Sequence, residues 1–252
     1  MSVRPTRVAV IGAGGRMGVA ACAAVDAAED LDLVARLGSS DPRETMVEAG
    51  VTVAVDLTRP DAVMDNVRFC VEHGIHVVVG TSGFDGRRSA TIREWLEDHA
   101  QVGVVVVPNF AIGAVLMMHL AGLAARHFES AEVVELHHAG KADAPSGTAR
   151  RTAQIIAAAR ADAGLKDVPD ATTSALDGAR GADVDGIHVH SVRLPGLVAH
   201  QEVIFGASGE TLTLRHDSTD RASFMPGLLL ALREVADRPG LTVGLDDLLG
   251  LA

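Results

Sequence analysis

Two segments limit the fold of this chain more than any others: "IHVVVG" (Ile75–Gly80) and "VGVVVVP" (Val102–Pro108). Each is a near-continuous run of valine closed by glycine or proline. A half-exposed strand alternates apolar and polar residues because successive side chains face opposite ways. A run without alternation is apolar on both faces. Such strands sit in parallel sheets covered by helices. Arg7–Gly12, Leu31–Leu37 and Val51–Thr58 read as further strands, and helix-like segments lie between them: Arg16–Ala28, a stretch from Pro60 to Gly74, and one carrying Trp95. This order predicts an α/β chain with a doubly wound, Rossmann-like parallel sheet. With six Phe, one Trp and no Tyr, the core has to be Val, Leu, Ile and Ala.

After Pro108 the pattern changes. An apolar helix is expected over about 114–128, a strand over "SAEVVELHHA", and an Ala-rich helix over about 148–163. Leu165–Asp185 reads as a long loop. "GIHVHSVRLP", "LVAHQEVIFG" and "ETLTLRHDS" then alternate as strands of a mixed or antiparallel sheet, open to water or a partner on one face. A last helix (about 222–237) and the tail "LTVGLDDLLGL" can return to the first sheet. The expected organisation is a dinucleotide-binding domain of residues 1–109 and 218–252. A smaller α+β domain of residues 110–217 would serve substrate binding and oligomerisation.

A formal net charge of −11 argues against a nucleic-acid partner, which needs a basic stripe to neutralise phosphates. It leaves room for an anionic small molecule in a locally basic site. No run of 18 apolar residues appears and the N-terminus leads straight into a strand, so no membrane partner and a cytoplasmic location are expected. Cys22 and Cys70 lack metal or redox spacing and read as buried thiols. His188 and His190 share a strand face and His200 follows on the next strand. Without a cysteine or a carboxylate at ligand spacing, no metal is expected there.

"VIGAGGRMG" joins the first strand to the first helix. A turn this rich in glycine brings backbone N–H groups and a helix start against a pyrophosphate. Counted from Gly12, the third glycine falls at Gly18, one place late. Arg16 can pair with a phosphate or lie solvated. Two more loops leave strand ends, Gly80-Thr81-Ser82-Gly83 and Val107-Pro108-Asn109-Phe110. Both can surround a nicotinamide or serve as ordinary turns.

The densest chemistry lies in "ELHHAGKADAPSGT" (Glu135–Thr148). His137 and His138 are expected to end a strand with their side chains on opposite faces. Lys141 can hold a carboxylate, and Ser146-Gly147-Thr148 opens a helix whose free N–H groups seat an anion. Proton donor, cation and anion seat together suit a small dicarboxylate.

That segment closely resembles the substrate loop of the dihydrodipicolinate reductase (4-hydroxy-tetrahydrodipicolinate reductase) family of diaminopimelate and lysine biosynthesis. "GAGGRMG", "GTSGF", "PNFAIG", "HSVRLPGLVAHQEVIFG" and "LTLRHDSTDRASFMPG" resemble it too, so the likeness spans nearly the whole chain. The resemblance implies NADPH- or NADH-dependent reduction of 4-hydroxy-2,3,4,5-tetrahydrodipicolinate to tetrahydrodipicolinate, by a homotetramer built through the second sheet. It implies that His137 gives or takes a proton. His138 and Lys141 would hold one substrate carboxylate, with Lys141 also a proton donor. Ser146, Gly147 and Thr148 would seat the other. Gly12, Ala13, Gly14, Gly15, Arg16 and Met17 would form the pyrophosphate turn. Gly80, Thr81 and Ser82, with Val107, Pro108, Asn109 and Phe110, would contact the nicotinamide. Ser82 stands where the family usually has threonine.

Many members also carry an acid after the second strand, where this chain has "RLGSSD". NAD readers place an Asp or Glu about 20 residues past the glycine turn. Here Gly38, Ser39 and Ser40 hold that place, and Arg16 or Arg36 can supply charge to a 2′-phosphate. Either the two serines read a 2′-phosphate or Asp41 turns inward as the acid. Two rival functions remain at this level. An aspartate or homoserine dehydrogenase would keep the glycine loop but need no double anion seat. A dinucleotide-sensing regulator would need a DNA-binding or partner module that the chain does not display.

Overall fold

A computed structural model describes residues 5–81 and 83–251; Ser82 lies outside the described residues. The chain forms two compact units, Met1–Ile112 with Arg221–Ala252, and Gly113–Asp220.

In the first unit, strands β1 (Thr6–Ile11), β2 (Leu31–Leu37), β3 (Val53–Asp56), β4 (His76–Val79) and β5 (Gly103–Val106) alternate with helices α1 (Arg16–Asp26), α2 (Glu44–Glu48), α3 (Val63–Glu72) and α4 (Gly86–Glu97). The chain's last strand, β11 (Gly240–Val243), completes a sheet of order β2-β1-β3-β4-β5-β11 in which every pairing is parallel. The valine runs become β4 and β5. Val77, Val78 and Val79 of β4 and all four residues of β5 are buried, as strands covered on both faces must be. Strand order reverses between β1 and β3, which is where doubly wound sheets bind ligands. A helix from the far end of the chain, α7 (Met225–Glu234), buries Met225, Leu228, Ala231 and Leu232 in this unit, against α1, β3 and β4.

Two local expectations need correction here, and one element was not expected. Pro60 does not open a helix: the turn from Arg59 closes by an N–H of Ala62 on the Arg59 carbonyl, and α3 begins at Val63. Gly74 does follow its C-cap, at φ +69°. The short α2 went unforeseen; it drops Met46 into the core. The final helix is broken in three: a 3-10 turn at Arg221–Phe224, α7, and a 3-10 turn at Val235–Asp237. Pro226 sits in the first turn of α7, where its missing N–H costs nothing.

The second unit contains α5 (Ile112–Ala125, its first residue in the first unit), β6 (Ser130–His137), α6 (Gly147–Asp162), β7 (Ala182–Val184), β8 (Ile187–Arg193), β9 (Ala199–Ala207) and β10 (Glu210–Ser218). The sheet order is β10-β9-β6-β8-β7. It is mixed: β6 pairs parallel with β8 and antiparallel with β9. The three late strands are therefore not a meander, because β6 lies between β8 and β9. The expected loop Leu165–Asp185 contains β7, which pairs with β8 across Asp185-Gly186, both at positive φ. That is the two-residue hairpin turn whose twist suits paired strands. One face of β6 (Ala131, Val133, Glu135) is buried, and Ala131 and Val133 pack with Ala149, Ala153 and Ile156 of α6.

Candidate active site

The candidate nucleotide site lies in the first unit. A cleft of about 840 Å³ is lined by Gly12, Gly15, Gly38, Ser39, Asp41 and Arg43, among others, beyond the ends of β1, β2 and β3. Gly12 has φ +87°, and a Cβ there would meet the Leu57 carbonyl oxygen at 2.8 Å. A Cβ on Gly18 would sit 2.1 Å from the Gly12 carbonyl oxygen. The late third glycine thus lets α1 press against the turn. Gly15 caps α1 without a side-chain hydrogen bond, and the exposed Gly14 meets nothing within 4 Å of a built Cβ. A helix start with no side chain spent on its N–H groups, beside open space, fits a pyrophosphate. Arg16 is exposed at the first position of α1, with Ala13 and Met17 half-buried beside it.

Behind the cleft, the buried carboxylate of Asp56 ends β3. It accepts from Thr58 (N–H at 3.0 Å, Oγ1 at 2.8 Å), from Asn66 Nδ2 at 2.7 Å and from Thr81 Oγ1 at 2.7 Å. Asn66 in turn accepts from Arg43 Nε at 2.7 Å, which aims that guanidinium at the cleft. Thr81 is thereby pinned, and the Phe110 ring lies so close to Gly80 that a Cβ there would meet it at 2.5 Å. The loops after β4 and β5 are thus brought together at Gly80 and Phe110, and the Val107 N–H donates to the Val79 carbonyl at 2.8 Å. Asn109 Oδ1 accepts from Ala111 N–H at 2.9 Å. Arg36 turns elsewhere and pairs with Asp26 of α1 at 2.7 Å. Asp41 folds back, accepting from Gly38 N–H at 2.7 Å, and lines the cleft.

A second polar cluster, the candidate substrate site, lies in the second unit, at the end of β6. Glu135 is fully buried. Its two oxygens accept from Arg193 Nη1 at 2.9 Å and Nη2 at 2.7 Å, and from Ser146 N–H at 3.2 Å at the start of α6. His137 Nδ1 bonds the same carboxylate. Arg193 also donates to the Asp143 carbonyl at 2.7 Å, and Lys141 Nζ pairs with the Asp143 carboxylate at 2.7 Å. Ser146 is the N-cap of α6, its hydroxyl accepting from Ala149 N–H at 3.1 Å. Gly147 and Thr148 make the first turn. His137 is half-buried on the face of Glu135, whereas His138 lies beyond the strand and exposed. The segment thus joins a histidine, a lysine and a helix start through one carboxylate and one loop.

The family description "Dihydrodipicolinate reductase, N-terminus" matches residues 6–110, and "Dihydrodipicolinate reductase, C-terminus" matches residues 113–249. The chain belongs to the dihydrodipicolinate reductase family. Proteins named 4-hydroxy-tetrahydrodipicolinate reductase from Nocardia farcinica and Cutibacterium acnes are each 63% identical to it over 97% of this chain and 99% of theirs. A solved structure of dipicolinate-bound dihydrodipicolinate reductase from Paenisporosarcina sp. TG-14 superposes with a TM-score of 0.85 at 38% identity, covering 96% of this chain and 99% of that one. An amine dehydrogenase from Mycobacterium smegmatis shares the fold alone, with a TM-score of 0.63 at 15% identity. Dihydrodipicolinate reductases are pyridine-nucleotide-dependent reductases.

Several residues of the candidate site escaped sequence reasoning: Glu135, Arg193, Asp56, Asn66 and Arg43. Glu135 had a readable sign. It stands in register with Ala131 and Val133 on the inward face of β6, and a carboxylate there requires a buried partner. The separate histidines have carboxylate partners that sequence spacing did not show: His190 with Glu132 at 2.7 Å, His188 with Asp170 at 3.5 Å, His200 with Asp217 at 2.7 Å. No group of three or more potential metal ligands occurs among the described residues. No helix among them is long and apolar enough to cross a membrane.

The titrating groups set a pH dependence. Burial would raise the Glu135 carboxyl, but hydrogen bonds from Arg193, Ser191 and His137 outweigh it and hold the group below its ordinary 4.5. Burial pushes His137, His76 and His216 below 6.5. A histidine depressed in the folded state binds fewer protons than in the unfolded chain, so stability falls as pH drops below 6.5. A depressed carboxylate lends stability above 4.5 that is lost as pH falls through its folded value. Melting temperature should therefore decline from about pH 7 and drop more steeply below about pH 4.5, as read by thermal unfolding across that range. A flat or rising profile contradicts these assignments.

Proposed function

We propose that this chain reduces 4-hydroxy-tetrahydrodipicolinate to tetrahydrodipicolinate, with loss of water, in diaminopimelate and lysine biosynthesis in the cytoplasm. The observation that carries the reading is the coupling of His137, Lys141 and the Ser146–Thr148 helix start into one polar cluster. A solved family member with dipicolinate bound supports a cyclic dicarboxylate as the ligand class. The nicotinamide, when bound, supplies the hydride. Gly12–Met17 would hold its pyrophosphate, and Gly80, Thr81, Ser82 and Val107–Phe110 its ring end. Lys141 and His138 bind one carboxylate. Ser146, Gly147 and Thr148 receive the other with backbone N–H groups and a hydroxyl. Lys141 delivers the proton that follows, and its charge favours the negative charge that develops on the ring, while His137 exchanges a proton through Nε2. Nucleotide oxidation should require the cyclic product of the preceding synthase. Equal oxidation with aspartate semialdehyde in its place would reverse the assignment.

NADPH serves this chain at least as well as NADH. Gly38, Ser39 and Ser40 put no carboxylate against a 2′-phosphate, and Arg43 brings a guanidinium to the same cleft. Asp41 spends one carboxylate oxygen on Gly38 N–H. Arg43→Ala should lower kcat/KM for NADPH by roughly 10–100-fold, the worth of one charged hydrogen bond at about 1.5–3 kcal/mol, and change NADH use little. An NADH preference above about 100-fold in the unaltered protein would make Asp41 the reader.

The assembly is a homotetramer joined through the second sheet. Strand β10 is a sheet edge, and Glu210–Thr213 are exposed on both faces, an edge that calls for cover. Light scattering at micromolar concentration should give four subunits; a monomer contradicts this.

A further inference from the structure

One buried carboxylate, Glu135, contacts three parts of the candidate substrate site at once. It stands two residues before His137, so both side chains leave β6 on the same face. Arg193, opposite His137 in the parallel pairing of β6 with β8, closes a two-pronged bond on it. The first free N–H of the α6 entrance, that of Ser146, closes the third side. A carboxylate without solvent exposure survives only when its lone pairs are filled, and here they are.

We propose that Glu135 is the positioning residue of the proton-transfer step. By accepting from Nδ1, it keeps the His137 proton there and leaves the Nε2 lone pair to exchange a proton with substrate. This deepens the reading above and rests on the role given there to His137.

The chemistry follows from imidazole. A neutral ring carries its proton on one nitrogen, and the hydrogen bond made by the other side decides which. Carboxylates accept only, so a bond from Nδ1 to ionised Glu135 has one polarity: Nδ1 donates. The groups facing His137 are Glu135 on its own strand, Arg193 from β8, and Lys141 from the loop, itself paired with Asp143. Burial, Lys141 and Arg193 press the ring toward neutrality, and Glu135 alone opposes them. Neutralising Glu135 therefore frees the tautomer and lowers the histidine's affinity for a proton further.

The test uses the full chain labelled with ¹⁵N-histidine, with His137→Gln to assign the signal. In the unaltered protein at neutral pH, the His137 Nε2 resonance should be that of a bare, pyridine-like nitrogen and Nδ1 that of an N–H. Finding the proton on Nε2 overturns the proposal, and this measurement needs no variant that folds poorly. In Glu135→Gln, the Nδ1 preference should weaken. kcat/KM for the cyclic substrate should fall by ~10²-fold or more, the lower end for a positioned acid or base. Its acid limb should move to lower pH, while the dissociation constant of NADPH stays within about twofold. Glu135→Asp should recover part of the rate. Unchanged kcat/KM and pH profile in Glu135→Gln overturn the proposal. The failure of the wider reading looks different: the unaltered protein would not turn over the substrate at all, whatever its tautomer.

Discussion

Replacing Lys141 by alanine should lower turnover of the cyclic substrate by ~10²–10⁴-fold, the range for losing a positioned general acid. Lys141 holds its place through Asp143, whose carboxyl it keeps below the ordinary range and whose carbonyl takes a hydrogen bond from Arg193. The lysine is thus tied into the Glu135 cluster while its ammonium stays partly exposed, 22% by side chain, and open to a ligand. The nucleotide loops belong to a separate unit of the chain. NADPH affinity should therefore remain within about twofold, and the fold should tolerate the loss because the Asp143 carboxylate left behind is exposed and can turn to water. Steady-state rates and nucleotide titration on the same folded sample separate these effects. Turnover equal to the unaltered protein removes Lys141 from the proton-transfer role.

The second large effect is expected at Gly18. An alanine methyl there would sit 2.1 Å from the Gly12 carbonyl oxygen and 2.8 Å from the Ala13 Cα, so backbone rather than a pliable side chain has to move. Overpacking of this kind costs about 1–3 kcal/mol. It also lifts the turn from the start of α1, whose N–H groups are proposed to hold the pyrophosphate. Gly18→Ala should weaken NADPH binding by about tenfold or more, equivalent to about 1.4 kcal/mol. Binding of pyridine-2,6-dicarboxylate to the other unit should be unchanged. Calorimetric titration with each ligand checks both halves. Full NADPH affinity in Gly18→Ala would mean that the spacing of the third glycine has no bearing on the turn.

The parallel sheet was legible because its signal is local and redundant. Val77–Val79 and Val104–Val106 are apolar on both faces, and only burial on both faces permits that. The glycine turn was legible for the same reason, since strand, turn and helix follow each other directly. Sheet order in the second unit was not, because alternation says which face a strand buries and not which strand lies beside it. Thus β6 entered between β8 and β9 unannounced. β7 was hidden by its three-residue length, although Asp185-Gly186 marked its turn. In the site, the side chains predicted to face substrate were identified by residue type within one short segment. Their supports were missed because Glu135–Arg193 and Asp56–Asn66–Arg43 join positions far apart in the sequence, and strand spacing shows which side chains turn inward but not which partners they meet there. Arg36 shows the reverse error. As a cation near the right loop it invited a phosphate role, but Asp26 on the neighbouring helix captures it.

The central claim is hydride transfer from a pyridine nucleotide to the ring of 4-hydroxy-tetrahydrodipicolinate. Incubating the protein with NADPH deuterated at both C4 positions and freshly generated substrate, then weighing the product by mass spectrometry, tests it directly. The account predicts tetrahydrodipicolinate carrying one deuterium, formed one for one with oxidised nucleotide. Nucleotide left reduced in the presence of substrate, or a reduced ring without deuterium, contradicts it.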